Sequence, residues 1–353
     1  MSTLAALQKK DGIALVLSGG ATKAFYFHLG VLKALGDHLP VTSIVGSSAG
    51  SIIGGFLASG ATVETLMTSL YQKQVYIPKF DRWIKTLTSS MLFKPRYTDI
   101  TYQGIHTSYA SLRFLLSLPM LYNRDMLSEA MDRLIASQSK VAGFLDGTAL
   151  EEMFKSLLPS FDFAATDIDL YVTATALDTN TRAVFNGLYT MQDEDNDFVT
   201  DVPIHKAIRA SSAVPGMFEP VLIKGRYYID GEVKRTLSAD IGVQLADTVI
   251  MSHTYQPLLA HSNGTPGAGS VRDMGWINVL KQSLNIVLHE RIERWRQSYE
   301  PYHPGKTILW IYPEQDDVAF FQAPEFSFRP EVQQLMIASG ERAARRALDK
   351  TPI

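Results

Sequence analysis

The sequence predicts an α/β fold in which a mostly parallel sheet is flanked by helices, and three observations carry that expectation. Short apolar runs end in glycine turns, the segments after those turns space their apolar residues helically, and the alternation recurs along the 353 residues. Two such strand-turn-helix units stand back to back within the first 60 residues. That arrangement predicts neighbouring parallel strands with a helical crossover.

The first unit is "GIALVL" (12–17), the turn Ser18-Gly19-Gly20, and a helix through "KAFYFHLGVLKALGDHL" (23–39). Pro40 breaks the chain, "VTSIVG" (41–46) reads as a second buried strand, and "AGSIIGGFLASG" (49–60) as a small-residue helix ending at Gly60. Later strands are expected at 167–177, 182–185, 226–230, 247–253 and 306–313. Helices are expected at 202–213, 277–300 and 329–350, the first and last with a proline near the start. The best loop is "HSNGTPGAGS" (261–270), and neither an internal repeat nor a domain linker is evident, so 1–353 reads as one domain.

Composition narrows the function classes. Apolar residues make up 46% and charged residues 20%, which suffices for a sizeable core. A net charge of −3 gives no general attraction to nucleic acid, so a nucleic-acid partner is not expected. With no cysteine, disulfides, thiolate metal sites and a cysteine nucleophile are excluded. The N-terminus lacks the order of a secretory signal, and no apolar run nears the roughly 18 residues of a membrane span. A leaderless, cytoplasmic protein with at most peripheral membrane association is the expectation. The composition says nothing of oligomeric state.

Residues 72–124 fit the alternation least. They carry eight Lys and Arg against two Asp, interleaved with Trp83, Phe93, Tyr97, Tyr102, Tyr109, Phe114 and Tyr122. A helical cap inserted into the domain is expected here, with a composition suited to anionic lipid headgroups or simply to packing on the α/β core.

The chemistry concentrates at the turns. In Gly46-Ser47-Ser48-Ala49-Gly50 the central Ser48 lies between a strand and a helix, the context a nucleophile elbow requires. Ser47 and Ser51 read as turn or capping residues. The earlier turn "SGGATKA" (18–24) is placed to offer backbone N–H groups to an oxyanion. It lacks both a Gly-Lys-Ser/Thr and a Gly-x-Gly-x-x-Gly pattern, so a nucleotide site is disfavoured. "YYIDGEV" puts Asp230 at a strand end with Gly231 after it, which reads either as an ordinary turn or as a base facing the serine. None of the eight histidines, His28, His38, His106, His205, His253, His261, His289 and His303, sits in an informative motif.

Together, Gly19-Gly20, Gly46-x-Ser48-x-Gly50 and Asp230-Gly231 resemble the patatin-like phospholipase family in order and spacing. "FHLGVLKAL", "TATALDTNTRAVF" (173–185), "IRASSAVPGMFEPV" (208–221) and "IASGERAARRAL" (337–348) extend the resemblance over nearly the whole chain except 72–124. The resemblance implies a three-layer fold and a lipid acyl hydrolase of the phospholipase A or lysophospholipase type. It implies Ser48 as nucleophile, Asp230 as general base, and an oxyanion hole from Gly19, Gly20 and Ala21. Gly46, Gly50, Lys23 and Gly231 support the motifs. Phospholipid or lysophospholipid is the implied substrate, and no metal or cofactor is required. Alternatives are a catalytically weak lipid-binding relative, or a short-chain esterase or acyltransferase. The family's loop usually reads Gly-Gly-Gly-x-Arg/Lys-Gly, whereas Ala21 and Ala24 stand here. Alanine keeps the N–H donor, without strain only where φ is negative.

Overall fold

The computed structural model describes residues 3–36, 39–72, 74–77, 81–85, 94–95, 142–157, 162–259 and 270–351. The main sheet has ten strands: β1 (Ile13–Leu17), β2 (Val41–Ser47), β3 (Asp169–Ala176), β4 (Thr181–Phe185), β5 (Met191–Gln192), β6 (Asn196–Val199), β7 (Val221–Ile223), β8 (Arg226–Asp230), β9 (Thr248–Ser252) and β10 (Thr307–Ile311). Among the described residues the α-helices are α1 (Ala21–Leu35), α2 (Ala49–Ala58), α3 (Val63–Ser69), α4 (Thr148–Leu157), α5 (Ile204–Ser211), α6 (Ala239–Leu245), α7 (Trp276–Ser298), α8 (Val318–Gln322) and α9 (Pro330–Lys350).

Along the sheet the order is β10-β9-β1-β2-β3-β4-β6-β5, with β8 also pairing β3 and β7 pairing β8. From β10 to β3 every pairing is parallel. Beyond β3 the sheet turns mixed, since β4 and β8 both run antiparallel to it. The expected α/β class with a mostly parallel, helix-flanked sheet is therefore what the chain forms.

Strand alternation builds two cores. Ile13, Leu15 and Leu17 of β1 face a core completed by α1, α2, α5 and α9, while Ala14 and Val16 face one completed by α6 and Ile292 of α7. Three layers follow from this period-2 division. α1 and α9 cross so closely that a Cβ on Gly30 would overlap the Ile337 carbonyl, and one on Gly340 the Phe27 carbonyl. Those two glycines explain why both helices must carry a small residue at mid-length.

Part of 72–124 differs from the helical expectation. Gln74–Ile77 pairs antiparallel with Arg82–Lys85, and Lys94–Pro95 pairs with Leu145–Asp146. Val75, Tyr76, Ile77, Trp83 and Ile84 are β-branched or aromatic and flank a turn where Asp81 adopts φ 50°, which favours a hairpin over a helix. The remainder of that insertion, and 261–269 of the expected loop, lie outside the described residues.

Candidate active site

Ser48 and Asp230 meet because two strands share one edge of a third. β2 runs up β3 until Ser47 stands opposite Thr173, and β8 descends the same edge until Asp230 stands opposite Ala174. The two strands end head to head. Gly231 then turns the chain away in a gap where a Cβ would lie 2.6 Å from Ser47 Oγ and overlap the Thr173 carbonyl.

At the elbow Ser48 takes φ 49° and ψ −118°, a sparsely populated conformation that projects its hydroxyl before α2 begins. Its neighbours leave little freedom. A Cβ on Gly46 would approach the Gly50 carbonyl oxygen to 2.6 Å, and the Gly50 N–H donates to the Ser18 carbonyl at 3.1 Å, locking the second turn to the first. The Ser51 hydroxyl donates to the Ser48 carbonyl at 2.7 Å, the local capping role expected of it.

The segment 208–221 supports both residues at once. The Ser48 N–H donates to Ser211 Oγ at 2.8 Å, and the Asp230 N–H donates to the Ala213 carbonyl at 3.0 Å. Burial pushes the Asp230 carboxyl up to about 6, while hydrogen bonds from Ser48 and from the Glu232 N–H (3.0 Å) hold it down. A carboxylate with that value is ionised at neutral pH and basic enough to receive a proton. Among the described residues no histidine contributes to its environment. His28, which bonds the Ser18 carbonyl of the first turn and Ser252 Oγ, is fully buried and pushed down to about 4, a neutral structural group.

The first turn lies directly against the elbow. A Cβ on Gly19 would reach to 2.8 Å from Ser48 Cβ. The Gly19 N–H, expected to serve an oxyanion, is already engaged: it donates to Glu232 Oε1 at 2.7 Å. The N–H groups of Gly20 and Ala21 have no acceptor among the described residues. Gly20 takes φ 126°, and Ala21 takes φ 59°, the left-handed region in which a Cβ costs about 1 kcal/mol or more. Ala24 is an ordinary buried helical residue.

Lys23 holds the loop from behind. Its ammonium lies 4.0 Å from the Phe320 ring centre and 3.5 Å from Glu325 Oε1, and burial pushes it down to about 8. The Lys23 N–H donates to the Glu325 carbonyl at 3.1 Å, so α1 starts stapled to the segment before α9.

Glu232 is the residue that sequence reasoning passed over. It is buried, its Oε1 accepts from Gly19 and its Oε2 accepts from the Leu237 N–H at 3.1 Å. Burial and the Asp230 charge push it up to about 8. The signal was an acid two residues beyond Asp230 at a strand end. Ser211 was quoted within a motif, but its acceptor role required the packing of α5 beneath the elbow.

The sequence signature of patatin-like phospholipases matches residues 15–242, a span that contains both turns and Asp230. Among solved structures, VipD from Legionella pneumophila superposes with a TM-score of 0.41 at 15% identity over 97% of this chain and 67% of that one. The type III effector ExoU gives 0.38 at 16% identity, over 97% of this chain and 54% of that one. The ExoU–SpcU complex of Pseudomonas aeruginosa gives 0.34 at 13%, over 98% and 52%. This chain thus spans about two thirds of VipD and about half of ExoU. With the signature covering well over half of its length, the chain belongs to the patatin-like phospholipase family.

Proposed function

We propose that the chain is a lipid acyl hydrolase that cleaves fatty-acyl esters of phospholipids or lysophospholipids through an acyl-serine on Ser48. The observation that carries this reading is the end-to-end meeting of β2 and β8 on β3, which sets Ser48 against a buried Asp230 raised to about 6. Ser48 Oγ attacks the ester carbonyl as its proton passes to Asp230. Charge on the carbonyl oxygen is met by the N–H groups of Gly20 and Ala21, each such donor contributing about 3 kcal/mol to transition-state stabilisation. Collapse expels the alcohol, which takes the proton from Asp230. Water then gives a proton to Asp230 and attacks the acyl-serine, and collapse releases the fatty acid as Ser48 Oγ takes that proton back from Asp230.

A weak, lipid-binding relative is the second reading, favoured by the strained Ala21 in the donor loop. Labelling with a fluorophosphonate probe, combined with fatty-acid release from phospholipid, separates the two. The hydrolase reading expects both signals in the parent chain and neither in Ser48→Ala. Labelling that persists in Ser48→Ala overturns the nucleophile.

A further inference from the structure

Helix α7 is inside out over its first half. The residues of its outer arc between Trp276 and Val287 are Trp276, Val279, Leu280, Ser283, Leu284, Ile286 and Val287, and all but Ser283 are apolar. Each of these apolar side chains is exposed, Trp276 by 74%, Leu280 by 54% and Leu284 by 55%. The inner arc carries the polar set instead: Asn278, Lys281, Gln282 and Asn285 line a cleft together with Gly20 and Lys23. Further along, the ordinary pattern returns, with Ile292 buried and Arg291 and Arg294 exposed. A surface helix normally hides its apolar stripe, so the reversal marks a face that meets an apolar phase.

Charge selects which phase. Between Trp276 and His289 the sequence has no Asp or Glu. At the end of the arc Lys234, Arg235, Arg291 and Arg294 border one groove against Asp240 and Glu290, and Asp240 is itself neutralised by Arg182 at 2.7 Å. Lys234 and Arg235 share Asp195 at 3.0 and 3.3 Å, so two cations face one carboxylate there, and Arg291 and Arg294 add two more positive charges against Glu290. Apolar side chains beside this net positive rim suit an anionic lipid surface, where the former enter the acyl boundary and the latter sit among headgroups. The helix's other face lines the cleft beside the oxyanion loop, so a bilayer seated on α7 lies next to the catalytic turns.

We infer that the outer arc of α7, from Trp276 to Val287, is the docking face of this protein on anionic membranes. This rests on the lipid-hydrolase reading for its purpose, but not for its test.

The test is co-sedimentation of the full chain with vesicles of phosphatidylcholine, alone or mixed with phosphatidylglycerol. Leu280→Glu, Leu284→Glu and Val287→Glu are combined in one variant at exposed positions, with its circular dichroism and melting temperature as the folding control. Arg294→Glu forms a second variant. The parent chain is expected to partition onto anionic vesicles about tenfold better than onto neutral ones, with a blue shift of Trp276 emission that Trp276→Phe removes. The triple variant should lose tenfold or more of that binding, and Arg294→Glu only the preference for anionic vesicles. Equal binding by parent and triple variant overturns the inference, as does a parent that binds neither vesicle. A parent dimer that the triple variant converts to monomer assigns the face to a second copy and also overturns it. Fluorophosphonate labelling is scored separately: vesicle binding without labelling sinks the hydrolase reading and leaves the docking face standing.

Discussion

Glu232 and Gly19 are joined by a 2.7 Å hydrogen bond between residues 213 positions apart, linking the turn after Asp230 to the turn proposed to offer oxyanion donors. One buried carboxyl therefore fixes where the donor loop sits relative to Ser48. Replacing it with Gln retains a carbonyl acceptor for Gly19 but turns an amide donor toward the Leu237 N–H, away from the donor loop, so turnover near pH 7 should stay within about threefold. Glu232→Leu removes the acceptor of both the Gly19 and the Leu237 N–H, and loss of the Gly19 bond, about 1.5 kcal/mol, predicts a kcat lower by roughly tenfold with little change in KM. Steady-state kinetics on both variants checks the pair.

The rate should rise through about pH 6 as Asp230 becomes ionised, since only the carboxylate can receive the serine proton. Glu232→Gln should keep that limb, and Asp230→Asn should lose it together with a hundredfold or more of kcat. A pH–kcat profile of a nitrophenyl ester reads both, and a limb that survives in Asp230→Asn would assign the base elsewhere.

Stability should move with pH in the opposite sense. Asp230 and Glu232 are raised in the folded state, to about 6 and about 8, from ordinary values near 4. Between pH 4 and 8 the unfolded chain holds fewer protons than the folded one, so their contribution is complete below pH 4 and declines as pH rises. Glu232→Gln should flatten the upper part of this slope, as measured by urea unfolding at a series of pH values.

Ala21→Gly should stabilise the protein by about 1 kcal/mol, because it removes a Cβ from the left-handed region. Fluorophosphonate labelling should be as fast as or faster than in the parent. A lower melting temperature would contradict the strain.

Gly231→Ala should do the reverse. Its Cβ meets Ser47 Oγ at 2.6 Å and the Thr173 backbone, so the turn must shift and carry Asp230 with it. A loss of 1–3 kcal/mol and a fall in labelling are expected.

Much of this was legible in the sequence because it rests on backbone geometry. Strands β1, β2, β3, β8, β9 and β10 follow from apolar runs between turn residues, and Ser48 and Asp230 stand where the strand ends predicted. What escaped depends on tertiary approach. β6 is short and polar at Asn196 and Asp197, so its pairing with β4 has no local signal. The engagement of Gly19 required Glu232 to fold back across the site, and the strain at Ala21 required the actual φ. The hairpin at 74–85 was passed over because its strands are only four residues long and the basic and aromatic residues around them were read as one cap.

The crossing of α1 and α9, where Gly30 meets Ile337 and Gly340 meets Phe27, also bears on the order of events. α1, which begins at the oxyanion loop, rests on α9, some 300 residues later in the chain. During synthesis the donor loop therefore lacks its backing until the ribosome has delivered α9. A chain cut before α9 is expected to carry Ser48 without a seated 18–24 turn and, on the proposed hydrolase reading, to label poorly with fluorophosphonate.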